Sequence, residues 1–182
     1  MTVDLPGWAE QLAQSCLAEL PQRWRHVQGV VRQAERAADT VDDPDLLITA
    51  AWVHDIGYSP EAVQSGCHAV DGAAFLRDRG APDRLCALVA HHSCARVEAH
   101  YRGVPIAWPD ERTPLRDALW WADMTTTPTG GATSVEERIA EVRARYGSGH
   151  VVADSVAEAA PYLIEAVART EQRIADAAAQ VK

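Results

Sequence analysis

The chain has 182 residues, of which 47% are hydrophobic and 24% are charged, and its net charge is -9. A chain of this length can bury one substantial hydrophobic core, so we expect a single domain over residues 1–182. The negative charge argues against a nucleic-acid polymer as partner, because such binding requires clustered Lys and Arg that neutralise phosphates. A small anion held through a metal ion is compatible with this charge.

The sequence gives no sign of membrane insertion or export. No stretch approaches the roughly 20 consecutive apolar residues that span a bilayer. Residues 1–6 also lack the basic and then apolar order of a signal peptide. We therefore expect a cytoplasmic protein that makes no membrane contact.

The four cysteines show no C-x-x-C spacing. A chain of this size without a secretory signal gives no reason to expect disulfides, so Cys16, Cys67, Cys86 and Cys94 are predicted to be reduced and mostly buried. Cys67 and Cys94 lie beside histidines, which leaves zinc ligation as a minor alternative for these two.

Two helices are predicted at the start of the chain, over residues 7–19 and 24–38. Pro21 suits the first turn of the second helix, where no backbone donor is needed. His26 shares the apolar stripe of this helix with Val30. The spacing thus predicts an inward-facing imidazole at His26.

The third predicted helix ends in the residues that most strongly indicate a metal site. Asp43 and Pro44 form a cap followed by a first-turn proline and start this helix, whose apolar stripe leads to His54. Asp55 follows directly, and Gly57 suits the left-handed end of a helix. Burying a neutral polar group without partners costs roughly 2 to 7 kcal/mol, and a charge costs far more. A divalent cation would compensate both side chains, so we predict that His54 and Asp55 bind metal.

The next two predicted helices carry three more histidines. A helix over residues 67–79 places His68 on its apolar face, and Gly80 ends it. The following helix begins near residue 81 and places His92 on its stripe, with His91 on the edge of that stripe. Both of these histidines can reach one site only if the helix finishes there.

Residues 96–112 are predicted to form a long connection that lies over a pocket, because Gly103, Pro105 and Pro109 interrupt them. Thr113 then caps a helix on which Asp123 faces the apolar side. A carboxylate in that position adds to the inward-facing polar groups.

The rest of the chain is predicted to be helical and to serve packing. Residues 125–131 are a loop by composition, and Ser134 begins a capping box that restarts a helix. A last helix over residues 155–179 is interrupted at Pro161. We expect helices over 134–180 to pack on a core formed by residues 22–126.

The pattern as a whole predicts an all-α fold. No segment requires a strand, so we expect a single-domain bundle of about seven to nine helices with a site built from inward side chains on facing helices. Five separate helices contribute inward histidine or aspartate side chains, and one metal centre would satisfy them together. The candidate metal ligands are His26, His54, Asp55, His68, His91, His92 and Asp123. Imidazole and carboxylate ligands suit one or two ions of Fe, Mn, Zn, Co or Ni.

The order His26, His54-Asp55, Asp123 resembles the HD superfamily of metal-dependent phosphohydrolases, and residues 54–57 resemble its HDIG variant. The resemblance covers residues 22–126 and implies an HD-domain-like fold with one metal at these four ligands. Members with extra histidines hold a second metal bridged by the central Asp, and His68 with the 91–92 pair is similar to that arrangement.

Two departures from the family pattern bear on the substrate. The GYP signature of the cyclic-di-nucleotide branch is absent after His92, which argues against that substrate. Related hydrolases often carry Lys or Glu three residues after the central Asp, where this chain has Tyr58. A phenol can donate a hydrogen bond to a developing oxyanion, so Tyr58 is a candidate catalytic residue beside Asp55, and a packed aromatic is its alternative. Arg96 is a candidate phosphate contact, with a solvated helix-end arginine as its alternative.

The resemblance implies a phosphohydrolase that acts on a nucleotide or other small phosphate ester through a dinuclear site. A mixed-valence diiron oxygenase of the HD-like type is an alternative, because the ligands are shared. A signalling module that binds metal or nucleotide without turnover is a further alternative.

Overall fold

Polar side chains cap the start of four of the helices. Asp4, Asp43, Thr113 and Ser134 each accept a hydrogen bond from a backbone N–H of the helix that follows. The computed structural model describes residues 4–180, so residues 1–3 and 181–182 of the expected domain lie outside the described range. Nine α-helices occur within it: α1 (Leu5–Leu17), α2 (Pro21–Ala37), α3 (Pro44–Val53), α4 (His68–Arg77), α5 (Asp83–His91), α6 (Arg96–Arg102), α7 (Pro114–Met124), α8 (Val135–Tyr146) and α9 (Val151–Gln180).

Helix α3 lies at the centre of the bundle. It packs against α1, α2, α5 and α7, and its residues Leu47, Ala50 and Val53 are fully buried. Over residues 4–180 the structure has no strand, only an isolated bridge between Thr126 and Ala132. The predicted all-α fold is therefore confirmed. No helix in the described range has the length and apolarity needed to cross a membrane.

Helix α9 differs from the prediction. It runs without interruption through Pro161, which is exposed; this proline removes one backbone hydrogen bond and crowds the carbonyl four residues earlier. The helix survives because it packs along α6, α7 and α8, which outweighs the local loss. The expected break at Pro161 is wrong.

The segment 96–112 also differs from the prediction of a covering connection. It begins with helix α6, which ends at Gly103 in a left-handed conformation. Ile106 and Trp108, further on, pack against the hydrophobic core. These side chains hold the segment on the body of the bundle.

Gly57 is needed for a reason other than the expected one. It lies in a 3₁₀ turn over Ile56–Tyr58 and does not have positive φ. A Cβ atom there would lie 1.8 Å from the carbonyl oxygen of His68. Glycine thus allows the turn after α3 to approach the start of α4.

Candidate metal centre

The candidate centre is built mostly at helix ends. His54 and Asp55 follow the last residue of α3, and His68 is the first residue of α4. His92 follows α5, and Asp123 lies one residue before the end of α7. Only His26 comes from the middle of a helix, α2. These side chains are buried apart from His68, which is partly exposed.

The two carboxylate oxygens of Asp55 face different pairs of histidines. Oδ2 lies 3.4 Å from Nε2 of His54 and 3.7 Å from Nε2 of His26. Oδ1 lies 3.5 Å from Nε2 of His68 and 3.7 Å from Nε2 of His92. The ligand atoms within each of these two groups lie within 4.8 Å of one another. Each carboxylate oxygen of Asp55 thus faces one histidine pair, and the two groups share this residue.

Asp123 lies beside the first of these groups. Its Oδ1 lies 3.0 Å from Nε2 of His26 and 3.9 Å from Nε2 of His54. The structure thus brings together six of the seven candidate ligands.

Backbone carbonyls fix the orientation of three rings. Nδ1 of His54 donates to the carbonyl of Ala51 at 2.8 Å, and Nδ1 of His92 donates to the carbonyl of Val89 at 2.6 Å. Nδ1 of His26 donates to a carbonyl of the loop after α7 at 3.0 Å. With Nδ1 bound to a carbonyl, Nε2 of each ring faces the cluster and would offer its lone pair to a metal ion, as metal-binding histidines do. Nε2 of His54 is buried without a hydrogen-bond partner in the described chain, which fits a cation at this point.

The charges of the cluster also support metal binding. Burial opposes ionisation of Asp55, but the Arg23 guanidinium and His54 outweigh it and hold the pKa of Asp55 well below its usual range. Burial also disfavours the charged form of His54, yet Asp55 overcomes this effect and raises its pKa to about 9. Burial and the neighbouring His92 lower the pKa of His68 to about 3. The centre therefore combines ionised carboxylates with at least one neutral imidazole.

Arg23 is a site residue that the sequence analysis missed. Its guanidinium forms an ion pair with Oδ2 of Asp55 and lies 3.9 Å above the ring centre of Tyr58. The ring of Tyr58 in turn stacks on His68, with 4.3 Å between ring centres. Arg23 comes three residues before His26, a spacing that puts both on one helix face and could have identified it.

Ser93 is a second residue that was missed. Its hydroxyl donates a hydrogen bond to Oδ2 of Asp123. Its φ of 46° is left-handed, and Cys94 follows with φ of 60°. Only its position directly after His92 could have signalled this role.

Two candidates from the sequence lie elsewhere. Nε2 of His91 donates to the carbonyl of Trp108 at 2.8 Å, so the structure does not bring His91 to the cluster. The break after α5 sends the two adjacent histidines in different directions. Arg96 is exposed, with its guanidinium 4.7 Å above the ring centre of Tyr162, and it does not line the cavity beside the cluster.

That cavity has a volume of about 110 Å³. Arg23, Tyr58 and the cluster form one side of it, and α8 and α9 form the other through Arg145, Tyr146 and Val152. The predicted cover from segment 96–112 is wrong beyond the first turn of α6, because α8 and α9 occupy that place. The four cysteines are free and buried, as predicted.

Comparisons with known proteins agree with this geometry. The HD domain family profile matches residues 23–142. A tRNA (cytidine(56)-2'-O)-methyltransferase of Picrophilus torridus is 34% identical over 86 residues, which cover 45% of this chain and 25% of that protein. No solved structure matches the chain. The profile match and the His/Asp cluster together support a metal-dependent enzyme, and the chain belongs to the HD domain family.

Proposed function

We propose that the protein is a metal-dependent phosphohydrolase that acts on a nucleotide or another small phosphate ester. The observation that carries the proposal is the position of Asp55, which offers one oxygen to each of two histidine pairs beside a cavity that also contains arginines. Two-metal sites with a shared carboxylate suit in-line displacement at phosphorus.

The ligands divide into two sets around Asp55. His26, His54 and Asp123 would hold one ion together with Asp55, and His68 and His92 would hold a second. When bound, such ions supply Lewis-acid polarisation of a phosphoryl oxygen and a water nucleophile at neutral pH.

Arg23 and Arg145 are the groups placed to bind the phosphate. Both line the cavity, and their side chains are 22% and 36% exposed, so each can reach an entering anion. A guanidinium group can donate two parallel hydrogen bonds to two oxygens of one phosphate. Arg23 already contacts Asp55 and lies over the ring of Tyr58, so its guanidinium is held beside the centre.

Tyr58 is suited to donate a hydrogen bond rather than to accept a proton. Burial and the carboxylate of Asp55 raise the pKa of its hydroxyl. The phenol therefore stays neutral near pH 7 and can donate to an oxygen on which negative charge develops.

The cavities favour an ester with a substantial leaving group. The volume beside the cluster is about 110 Å³, below the roughly 300–1,000 Å³ of pockets for drug-sized ligands. A neighbouring cleft of about 410 Å³ shares Arg23, Tyr58 and Arg145 with it. Its other walls include Leu20 and Pro128. The phosphate would lie at the cluster and the rest of the ester in this cleft.

The methyl transfer named for the relative from Picrophilus torridus is not part of the proposal, because the match covers 25% of that protein. An oxygenase would use the same ligands, so the experiment must separate the two reactions.

Purified protein loaded with Mn²⁺ or Co²⁺ should release phosphate or nucleoside from a panel of small phosphate esters. The His92→Ala variant should lose this activity, whereas His91→Ala should retain it because His91 lies outside the cluster. No turnover across the panel, or equal loss in both variants, would contradict the proposal. A mixed-valence diiron signal that responds to substrate in electron paramagnetic resonance would favour the oxygenase instead.

A further inference from the structure

A second cleft, of about 470 Å³, lies further along the contact between α7 and α9. Asp117, nearer the start of α7, faces this cleft, whereas Asp123 faces the metal centre. Five arginines line it: Arg96, Arg112, Arg116, Arg169 and Arg173. We call it the arginine cleft, and no residue that lines it also lines the metal-centre cavity.

The arginine cleft carries excess positive charge in a negatively charged protein. Its five guanidinium groups face three carboxylates, those of Asp110, Asp117 and Glu165, which leaves an excess of two positive charges. The chain as a whole has a net charge of -9. A local concentration of positive charge attracts anions through its field.

Asp117 orders three of the arginines without neutralising them. Its carboxylate lies 3.0 Å from Arg116, 2.8 Å from Arg169 and 3.4 Å from Arg173. Burial opposes its ionisation, but hydrogen bonds from Arg169 and Arg116 hold its pKa below the ordinary value. Asp117 therefore helps to position three guanidinium groups in advance of any ligand, and Asp110 also holds one of them, Arg116, at 2.7 Å.

The other two arginines are free to move onto a ligand. The guanidinium of Arg96 lies over Tyr162, with 4.7 Å to the ring centre, and the residue is exposed. The side chain of Arg112 is 78% exposed and approaches Asp110 only to 3.8 Å. Moving these side chains would break only the 3.8 Å ion pair of Arg112 and the contact of Arg96 with Tyr162.

We propose that the arginine cleft binds a compact anion with two or more phosphate groups, such as pyrophosphate or the diphosphate of a nucleotide. Each guanidinium group can donate two parallel hydrogen bonds to one phosphate group, so several of them can bind neighbouring phosphates. A lysine ammonium acts as a point charge and does not make this two-bond contact. The volume suits such an anion with room for an attached group. The proposal does not depend on the reaction at the metal centre.

Isothermal titration calorimetry of pyrophosphate into the full chain in EDTA tests the proposal. The double variant Arg96→Gln/Arg112→Gln should bind at least about tenfold more weakly, because each lost charge-assisted hydrogen bond weakens binding substantially. Both residues are exposed, so circular dichroism should show an unchanged fold. Arg143→Gln, an exposed arginine of α8 outside the cleft, is the control and should bind as the wild type does. Glu165→Gln removes a carboxylate from the cleft wall and should strengthen binding.

Further titrations identify the class of anion and the site at which it binds. ADP that binds as tightly as pyrophosphate, or more tightly, supports the proposal and shows whether the attached nucleoside contributes. Citrate that binds equally well would overturn the phosphate class. Binding that Arg23→Gln abolishes and the double variant leaves intact would place the anion at the metal centre and overturn the proposal, as would the absence of heat at millimolar pyrophosphate.

Discussion

Replacing Arg23 with glutamine should destabilise the metal-free protein far more than the metal-loaded protein. The change removes the guanidinium that is paired with Asp55, whose side chain is only 4% exposed. Removing one partner of a buried ion pair costs about 3–5 kcal/mol. The side chain of Arg23 is 22% exposed, so water can replace part of the interaction and we expect the lower end, about 3 kcal/mol. For a chain of this size that corresponds to a fall in Tm of roughly 6–12 °C.

Divalent ions at the centre would supply the positive charge that Asp55 loses, so in saturating Mn²⁺ the fall in Tm should be less than half of that in EDTA. Thermal unfolding followed by circular dichroism in EDTA and in Mn²⁺ measures both values. Arg25→Gln is the control, because Arg25 is exposed on the same helix and donates to the carbonyl of Pro21 rather than to the cluster. Equal shifts with and without metal would refute the idea that Arg23 and metal share the charge of Asp55.

Three more predictions concern the same cluster. Asp55→Ala should remove both metal ions, whereas His68→Ala should leave about one ion per chain. Elemental analysis measures both values, and a wild-type metal content in His68→Ala would mean that the site holds a single metal. Asp123→Asn keeps the volume but removes a charge beside His26, so activity should fall roughly 10- to 100-fold or more while circular dichroism shows an intact fold; near wild-type turnover would exclude Asp123 as a ligand. The pKa of His54 is raised from 6.5 to about 9, so its contribution to the stability of metal-free protein is full below pH 6.5 and is lost as pH rises through 9. Metal binding near pH 7.5 should therefore release about one proton per chain, and calorimetry in two buffers that shows no release would contradict this assignment.

Local rules allowed much of the fold to be predicted. The caps at Asp43, Thr113 and Ser134 are visible in the sequence because each combines a short polar side chain with a proline or glutamate at a fixed offset. Helix α9 shows where such rules fail, since packing along three neighbouring helices overrides the effect of Pro161. The helix propensity of one residue acts on a single turn, whereas the packing of α9 along its neighbours determines whether the whole helix forms.

The candidate site, too, could be predicted only in part from the sequence. An apolar stripe indicates which side of a helix faces inward, and that was enough to select His26, His54 and Asp123. The stripe cannot say which polar residues complete the cluster once the helix has ended, and Ser93 was missed for this reason. Arg23 lies at the rim of the apolar face and looks like a surface residue in the sequence. Its role depends on the approach of α3, which brings Asp55 to it.

The end of α5 shows how backbone strain and the site depend on each other. If α5 continued past His91, the side chain of His92 would follow the regular helical direction, and Ser93 would point away from α7. Instead Ser93 and Cys94 take left-handed conformations, which cost on the order of 1–3 kcal/mol each in non-glycine residues. The break points His92 at Asp55 and Ser93 at Asp123, and it also pairs His91 with a backbone carbonyl. These polar contacts offset part of the strain, and a cation at the centre would add to them by binding the unpartnered Nε2 of His54. The geometry of the centre is thus maintained by interactions that form only when α3, α5 and α7 are all in place.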